Sequence, residues 1–496
     1  MSLTKATYSM IQGAAYNVLD FGADPTGVAS SATAFNNAVA NGGTVYVPTG
    51  TYKLDSKVTF SVDGTTLLLA AKVTLNLSGV AAVQIPFGNQ IHVVANNCAV
   101  IGSGPSSLLQ ISNGSQANAI GLNQKSGFTI KDLTIDGDKA GGTAVADDTF
   151  MSGISIVVDS GGGATQDARA TIDNCVIRNF LQYGINIFGN LSNSIKVVNC
   201  NIYSNGKTGD ALSVGAGIVS TKSVTDLNIA NNVIKDNKFH GVFVSSAGVN
   251  GGDHIIIGNN VHQNGGSGIA YAEEAAYGSV NNVGLAKIAV VGNVSWGNTR
   301  SGIFFNVDTL GKLQQISITG NTCSDNTYGG IELNSTNTSP NTISNVVISG
   351  NQANGNGTVQ ISTSQFVEFA EGVERPFTPV ISGTSTAGVG TYTSRSGTYT
   401  ITNNIVYFQL ECTWSAHTGT GDILVSGFPF AAQNSEPAPI GWVWTNNLTI
   451  TGQATFGLNI NSTSGPLGAV NNGTYSAVAL DTAASIKISG FYFAVT

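Results

Sequence analysis

The stretch KIAVVGNVSWGNTRSGIFF (residues 287–305) is followed 28 residues later by QISITGNTCSDNTYGGIEL (residues 315–333), and the two share one layout. Each has a short run of Val, Ile and small residues, then an Asn, and nine residues after that Asn a Gly followed by Ile. Short β-branched runs punctuated by Gly and Asn predict strands and tight turns. Repetition at such a period predicts a solenoid.

The two anchors recur over the whole middle of the chain. An apolar residue leads into Asn at intervals of 25 to 34 residues, at Asn174, Asn199, Asn231, Asn259, Asn293, Asn321 and Asn351. A Gly with a β-branched residue after it follows the first six, at Gly184, Gly217, Gly241, Gly268, Gly302 and Gly330. We interpret each repeat as one coil of a parallel β-helix, with neighbouring coils about 4.8 Å apart. The β-branched residues then form one buried column.

A further polar column follows the Asn anchors. Five residues after an anchor stand Asn179, Asp236, Asn264, Asn298 and Asn326, which we expect to stack as hydrogen-bonded side chains. The second coil is longer, because 18 residues separate Asn199 from Gly217. Its insertion, near residues 207–213, is expected on the outer surface, where solenoids accept extra residues.

Composition excludes several classes of protein. Only 10% of the 496 residues are charged, 42% are hydrophobic and 62 are Gly, which fits neither a disordered chain nor a coiled coil. The net charge of −8 argues against nucleic-acid binding. No apolar run is long enough to span a membrane, and residues 1–16 lack the apolar stretch of a signal peptide. The five Cys are odd in number and lack the CxxC spacing of a zinc site, so we expect free thiols and synthesis in a reducing compartment.

The organisation predicted along the chain has four parts. Residues 1–18 are a short leader, and residues 19–365 form the β-helix, with a capping helix at about residues 30–40. Ser30 or Ser31 is the expected N-cap, and Ala34, Phe35, Ala38 and Val39 fall on one face. Residues 366–377, rich in charge, are interpreted as a linker. Apolar and polar residues then alternate, which predicts an antiparallel β-sandwich over residues 378–496. The predicted fold class is all-β.

Two segments near the N-terminus carry a family resemblance. NVLDFGADPTG (residues 17–27) and GGTVYVPTGTYKL (residues 42–54) resemble the opening of the pectate-lyase-like right-handed β-helices, most closely those of bacteriophage tailspike depolymerases. The resemblance implies a right-handed coil, a bacterial surface polysaccharide as the partner and a place on the phage tail or baseplate. It also implies a protein made in the host cytoplasm that acts outside the cell on the virion.

The C-terminal part resembles a module of phage tail proteins. The segments FTPVISG, GTYT, WSAHTGTG and GFPF, between residues 377 and 430, carry this likeness. It implies a role in assembling a homotrimer or in binding carbohydrate. Trp442 and Trp444 alternate onto one face of a predicted strand, where they would either stack on sugar rings or pack in a core or subunit interface.

Carboxylates are scarce, so their positions are informative. Up to Thr363 the β-helix contains only three Glu, which are Glu273, Glu274 and Glu332. Glu274 lies six residues after Gly268, and Asp308 lies six residues after Gly302, so the two share a column on successive coils. Two carboxylates this close differ in pKa, which suits them to general acid and base roles. Glu332, two residues after Gly330, and Glu273 are further catalytic candidates; two solvated turn residues are the alternative for the pair.

Aromatic and basic residues lie in the same coils. Phe243 and Phe304 both follow their Gly by two, Tyr271 is close by, and such a strip could stack on a sugar chain. His240 and Arg300 are the polar candidates for contacts with substrate. The same two, with His262 and Lys287, are candidates for the base and cation that a lyase requires. No cofactor is predicted, and no metal site, because neither paired Cys nor stacked Asp residues have the required spacing.

Three functions remain open from the sequence. The first is an endoglycosidase that depolymerises a capsule or O-chain by acid–base chemistry. The second is a polysaccharide lyase on the same scaffold, and the third is a spike that binds its receptor without chemistry. Separation of the two carboxylates would distinguish retaining from inverting hydrolysis, but side-chain reach allows either.

Overall fold

The structure is a computed structural model. It describes residues 14–78, 89–111, 117–123, 125–138, 152–158, 168–189, 192–206, 215–221, 224–245, 251–272, 284–307, 312–335, 343–363, 370–371, 374–402, 405–433 and 442–494. The chain divides into two compact units, residues 1–368 and residues 369–496.

The first unit contains a 3-10 helix (Val18–Phe21), one α-helix, α1 (Ala32–Val39), and short strands. In chain order the strands are β1 (Tyr16–Asn17), β2 (Thr26–Ser30), β3 (Thr44–Val47), β4 (Gly50–Leu54), β5 (Val58–Phe60), β6 (Thr66–Leu69), β7 (Val73–Leu77), β8 (Asn89–Val93), β9 (Ala99–Ile101), β10 (Leu108–Ile111), β11 (Asn118–Asn123), β12 (Phe128–Lys131), β13 (Thr134–Asp136), β14 (Ile154–Val158), β15 (Ala168–Asp173), β16 (Val176–Arg178), β17 (Ile185–Gly189), β18 (Ser192–Val198), β19 (Asn201–Tyr203), β20 (Ile218–Thr221), β21 (Thr225–Ala230), β22 (Val233–Lys235), β23 (Val242–Val244), β24 (Gly251–Ile257), β25 (Asn260–His262), β26 (Ile269–Ala272), β27 (Gly284–Val291), β28 (Val294–Trp296), β29 (Ile303–Val307), β30 (Lys312–Thr319), β31 (Thr322–Ser324), β32 (Gly329–Ser335), β33 (Ile343–Ser349), β34 (Gln352–Asn354) and β35 (Val359–Thr363).

These strands form three parallel sheets, and each coil contributes one strand to each sheet. The first sheet runs β1, β3, β6, β9, β12, β15, β18, β21, β24, β27, β30 and β33. The second is the 12-stranded sheet from β2 and β4 to β34, and the third is the 11-stranded sheet from β5 and β8 to β35. This is the predicted parallel β-helix.

The predicted β-branched column lies inside the coils. Its residues pair in succession and are fully buried: Ile185, Ile218, Val242, Ile269, Ile303 and Ile331. The Gly before each one is required by close packing between coils. A Cβ added at Gly268 would lie 2.7 Å from the carbonyl oxygen of Gly302 and 3.0 Å from Nδ2 of Asn298. Any side chain at this position would therefore force neighbouring coils apart.

Two ladders of buried Asn side chains run along the turns on either side of the second sheet. In the first, Nδ2 and the backbone N–H of each Asn donate to Oδ1 of the Asn on the next coil, through Asn232, Asn259, Asn293, Asn321 and Asn351. The second ladder joins Asn205, Asn237, Asn264, Asn298, Asn326 and Asn356 in the same way. The stacked amides predicted at Asn264, Asn298 and Asn326 are present.

The predicted register was wrong by one residue in the earlier coils. Asn174, Asn199 and Asn231 have positive φ (50°, 56° and 57°) and occupy the first position of a two-residue turn, so Cys175, Cys200 and Asn232 take the inward position. In later coils Gly fills that first position and the Asn itself points inward. Asn179 and Asp236 also have positive φ (61° and 54°), so they too lie one residue before the inward position. Asn is one of the few residues other than Gly that tolerates positive φ, which explains why it occurs at both positions.

A helix lies at the N-terminal end of the β-helix, as predicted, but two details differ from the prediction. α1 buries Ala34, Phe35, Ala38 and Val39, and the Phe35 ring meets Tyr52 edge-on at 5.6 Å. Ser31 occupies the N-cap position, but its hydroxyl accepts a hydrogen bond from the Asp24 N–H instead of from α1. Residues 16 and 17, placed in the leader by the sequence, form β1 and pair with β3.

The second unit is an antiparallel β-sandwich, as predicted. Its strands are β36 (Ala370–Glu371), β37 (Arg375–Phe377), β38 (Val380–Gly383), β39 (Gly390–Thr402), β40 (Ile405–His417), β41 (Ile423–Ser426), β42 (Trp442–Asn446), β43 (Gln453–Phe456), β44 (Ser464–Asn471), β45 (Thr474–Ala477) and β46 (Ala484–Phe493). One sheet runs β37, β39, β40, β46, β42, and the other β38, β41, β44, β43, with β45 paired to β44. A core that includes Trp414, Phe408 and Phe428 lies between them.

The proposed linker, residues 366–377, is not wholly a linker. Arg375–Phe377 forms β37 and pairs with β39 through the register of Phe377 with Gly397. The Phe377 ring also packs 5.4 Å from that of Phe428, so its apolar side chain is part of the sandwich. Of the charges that suggested a linker, Arg375 lies in this edge strand, where charged side chains are common.

The thiols give the first testable prediction. All five Cys are free and buried, and burial raises the pKa of Cys98, Cys323 and Cys412. Hydrogen bonding to Cys200 and burial raise the pKa of Cys175, its neighbour on the adjacent coil. Because the thiolate is the reactive form, we expect no reaction of the native protein with a thiol reagent and five equivalents after denaturation. A mass two units low under non-reducing conditions would show a disulfide instead.

Candidate functional site

The outer face of the third sheet brings together most of the described candidate residues. Phe243, Ala270, Phe304 and Glu332 pair in succession across β23, β26, β29 and β32. A second column beside it contains His240, Ser267, Ser301 and Gly329. The backbone carbonyls of these four residues accept hydrogen bonds from the N–H groups of Gly217, Gly241, Gly268 and Gly302 on the preceding coils. Phe243, Val219, Ala216 and Ala270 pack as a small apolar cluster with Tyr183 and Phe304 at its edge. Phe243 and Phe304 therefore share one outer column, separated by Ala270, and Phe243 is only 6% exposed.

Glu332 is the only acidic residue in the described strands of the third sheet. Ser301 donates its hydroxyl to Oε1 of Glu332 at 2.8 Å, from the neighbouring coil. Gly329 makes room for this carboxylate, because a Cβ there would lie 2.1 Å from Oε1. Glu332 is thus held against the coil beside Phe304. Its Ser301 partner could not be predicted from local sequence, because the two residues are 31 positions apart.

His240 is buried in this face as a neutral ring. Burial, and then the nearby charge of Arg300, lower the pKa of His240 from 6.5 to about 3. Its Nδ1 accepts a hydrogen bond from the Ser267 N–H at 2.9 Å, and its ring stacks on Phe243 at 5.2 Å. His240 therefore acts as a neutral hydrogen-bond acceptor within this face.

Arg300 lies at the edge of the same face and is exposed. Its guanidinium lies 5.4 Å from the centroid of the Phe239 ring, which is a cation–π arrangement. Phe239 was not among the predicted site residues. Its position directly before His240 is the signal that could have identified it.

Tyr271 does not belong to this outer face. It follows Ala270, and because side chains alternate along a strand, its ring points into the coil, where it is fully buried. There it stacks on Phe305 with ring centroids 4.8 Å apart and planes within 3°. Burial raises its pKa. The prediction that Tyr271 contacts substrate is corrected by this alternation.

The segments between the third and first sheets vary in length. Residues 190–191 connect β17 to β18, whereas residues 273–283 connect β26 to β27. Turns between the first and second sheets, from β15 onward, are two residues long. Glu273, Glu274 and Asp308 fall in these variable segments and lie outside the described residues. The strands leading to them pair Ala272 with Asn306, two residues before Glu274 and Asp308 respectively.

The basic residues considered for a lyase lie on different sheets. His262 is in the second sheet, stacked on Trp296 at 4.5 Å. Lys287 is in the first sheet, where it pairs with Asp253 at 3.3 Å. Only His240 and Arg300 share the outer face of the third sheet.

Acid sensitivity gives the second prediction. His240 binds a proton near pH 6.5 when unfolded but only near pH 3 when folded. Its contribution to stability is complete above pH 6.5 and decreases as the pH falls from 6.5 towards 3, by up to about 1.4 kcal/mol per unit. We expect the thermal midpoint to fall between pH 7.5 and 4.5, and to fall less in His240→Asn, whose amide stays neutral. Equal losses in both proteins would contradict this assignment.

Within the described residues, no group of three or more His, Cys, Asp or Glu side chains is arranged to hold a metal ion. Nor does any helix in the described part of the chain have the length and apolar character needed to cross a membrane.

Comparison with known proteins agrees with this architecture. Residues 118–283 match the family model described as right handed beta helix region. The structure is similar to the Dettilon tailspike protein, with 16% identity, a TM-score of 0.64 and coverage of 97% of this chain and 94% of that one. Bacteriophage CBA120 tailspike protein 2 (14%, TM-score 0.43, 96% and 72% covered) and the A-module of the Azotobacter vinelandii mannuronan C-5 epimerase AlgE6 (18%, 0.44, 71% and 99%) are more distant. No curated protein sequence matches this chain.

The fold is therefore a right-handed parallel β-helix followed by an antiparallel β-sandwich. Over nearly its whole length this fold is similar to that of the Dettilon tailspike protein. The expected resemblance in fold is therefore confirmed.

Proposed function

We propose that this protein is a phage tailspike that depolymerises a bacterial surface polysaccharide, acting as an endoglycosidase. The observation that carries the proposal is the similarity to the Dettilon tailspike protein, which extends through almost all of both chains. On the virion the protein would be a homotrimer attached to the phage tail or baseplate. It would be made in the host cytoplasm and act on the capsule or O-chain outside the cell.

The outer face of the third sheet supports this proposal. Phe304 and the edge of Phe243 offer apolar surface for a sugar ring, and Glu332 and Arg300 offer an acceptor and a donor beside them. The variable segments that carry Glu274 and Asp308 continue from the same sheet. A general acid and a general base at this place would cleave a glycosidic bond without a cofactor.

The products of digestion test the proposal. Purified protein is incubated with capsular and O-chain polysaccharides from candidate host strains, and products are separated by mass spectrometry. New reducing ends without new ultraviolet absorbance would support hydrolysis. Unsaturated products that absorb in the ultraviolet would assign a lyase, and no cleavage of a polysaccharide that the protein binds would assign a receptor-binding spike.

A further inference from the structure

The outer face of one sheet of the sandwich carries a cleft. Its side chains differ in chemistry from those on the candidate face of the β-helix. Two adjacent rows of side chains cross β39, β40, β46 and β42, each with three polar residues and a Trp: Thr398, Gln409, Ser489 and Trp442 in one row, and Ser396, Glu411, Lys487 and Trp444 in the other. They line a cleft of about 490 Å³. Clefts of this size are typical of sites for small ligands.

The two indole rings are presented to solvent. Trp442 is 84% exposed and Trp444 is 48% exposed, whereas Trp414 of the same unit is buried in the core. Both exposed rings are on β42, two residues apart, which places their backbones about 7 Å apart along the strand. Exposed aromatic surface of this extent on a folded domain marks an interaction site.

The floor of the cleft is polar and its charges cancel. Lys487 Nζ lies 3.0 Å from Oε2 of Glu411 and 5.9 Å from the centroid of the Trp444 ring. Gln409 donates from Nε2 to the Thr398 hydroxyl at 3.1 Å. Hydroxyl, amide, carboxylate and ammonium groups thus stand beside two aromatic rings. This combination suits a ligand with many hydroxyl groups and an apolar C–H face.

A second copy of the chain is the competing occupant. The centre of a protein interface is depleted in Lys, Glu and Ser, and all three lie on this floor. A neighbouring part of the same sheet, with Tyr407, Phe491 and Phe493 exposed, is more apolar and lacks such a floor. The polar rows therefore favour a sugar over a subunit at the Trp442 and Trp444 cleft.

We propose that this cleft binds an uncharged stretch of oligosaccharide, with sugar rings stacked on Trp442 and Trp444 and their hydroxyl groups bonded to the polar rows. The site is separate from the proposed catalytic face. It would hold the polysaccharide whether or not the β-helix cleaves it.

The test uses the full-length protein and a printed array of bacterial surface polysaccharides. The uncharged polysaccharide bound best is then titrated against Trp442→Ala, Trp444→Ala and Tyr475→Ala. Tyr475 is the matched control, because it is 53% exposed on β45, in the other sheet. We expect each Trp variant to lose affinity by about tenfold, the scale of one aromatic stacking contact, and the control to bind normally. Molar mass by light scattering should not change, and cleavage of any soluble substrate should stay within about twofold.

Three results would overturn the proposal. The first is wild-type protein that binds no uncharged polysaccharide on the array. The second is equal affinity in the Trp variants and in Tyr475→Ala. The third is a smaller molar mass in the Trp variants, which would assign the cleft to a second copy of the chain. Loss of glycan binding with cleavage retained would support the site independently of the proposed catalysis.

Discussion

Replacing Glu274 by Gln, or Asp308 by Asn, is expected to slow depolymerisation at least a hundredfold. The strands that precede these residues pair Ala272 with Asn306, and each carboxylate follows two residues later in the sequence. A positioned general acid or base contributes about 10²–10⁴-fold to a rate. The measurement is the initial rate at which new reducing ends form on a polysaccharide that the native protein degrades.

Glu273→Gln is the matched control for this prediction. Neighbouring residues of an extended chain point to opposite sides, so we expect only one of Glu273 and Glu274 to face the substrate. If Glu273→Gln shows the large effect and Glu274→Gln does not, the segment is shifted by one residue. Near-native rates in both Glu274→Gln and Asp308→Asn would contradict the pair and leave Glu332, beside Phe304, or a groove between subunits as the candidate site.

The largest expected effect on stability is at the buried Asn ladder. The Asn293 amide donates to Ile256 O at 2.9 Å and to Asn321 Oδ1 at 3.0 Å, and its Oδ1 accepts from Asn259. Asn293→Ala removes all of these bonds and leaves buried polar groups unpaired, each costing about 1–3 kcal/mol. We expect a loss of about 3–5 kcal/mol in the free energy of unfolding. Denaturant unfolding monitored by circular dichroism would measure it.

Asn354→Ala controls for the chemistry of the substitution. Asn354 lies on the exposed side of the second sheet, in β34, so its loss should change stability by less than about 0.5 kcal/mol. A similar loss in both variants would mean that the ladder contributes no more than an ordinary surface amide.

Repetition made the scaffold predictable, and it also produced the main error in register. The Gly that precedes each buried Ile is required for a single reason, close packing between coils. Every such Gly therefore marks the same position in its coil. Asn occurs in the repeat for two different reasons. Asn231 adopts positive φ, whereas Asn259 points inward and forms hydrogen bonds. The number of residues from Asn to Gly, ten after Asn231 and nine after Asn259, already contained the difference. Treating every Asn as equivalent concealed this one-residue difference in register.

The candidate sites were only partly predictable, for two reasons. Side chains alternate between the two faces of β26. Because Ala270 faces outward, its neighbour Tyr271 could have been predicted to point into the coil. The cleft in the sandwich depends instead on which strands lie side by side. Trp444 meets Lys487 and Glu411 only because β42 pairs with β46 and β46 with β40, and such distant pairings leave no local pattern in the sequence.

The stack of Tyr271 on Phe305 has a consequence for how the chain finds its final pairing. A strand that joined the growing helix one coil out of place would still meet a matching Ile and a matching Gly, because those columns are nearly uniform. It would not meet a matching partner at the Tyr271 position, where Val244 lies on one side and Phe305 on the other. Misplaced coils would leave a void or a clash there, and either destabilises a close-packed interior. This heterogeneous column thus helps to distinguish the correct alignment from its near-identical competitors during folding.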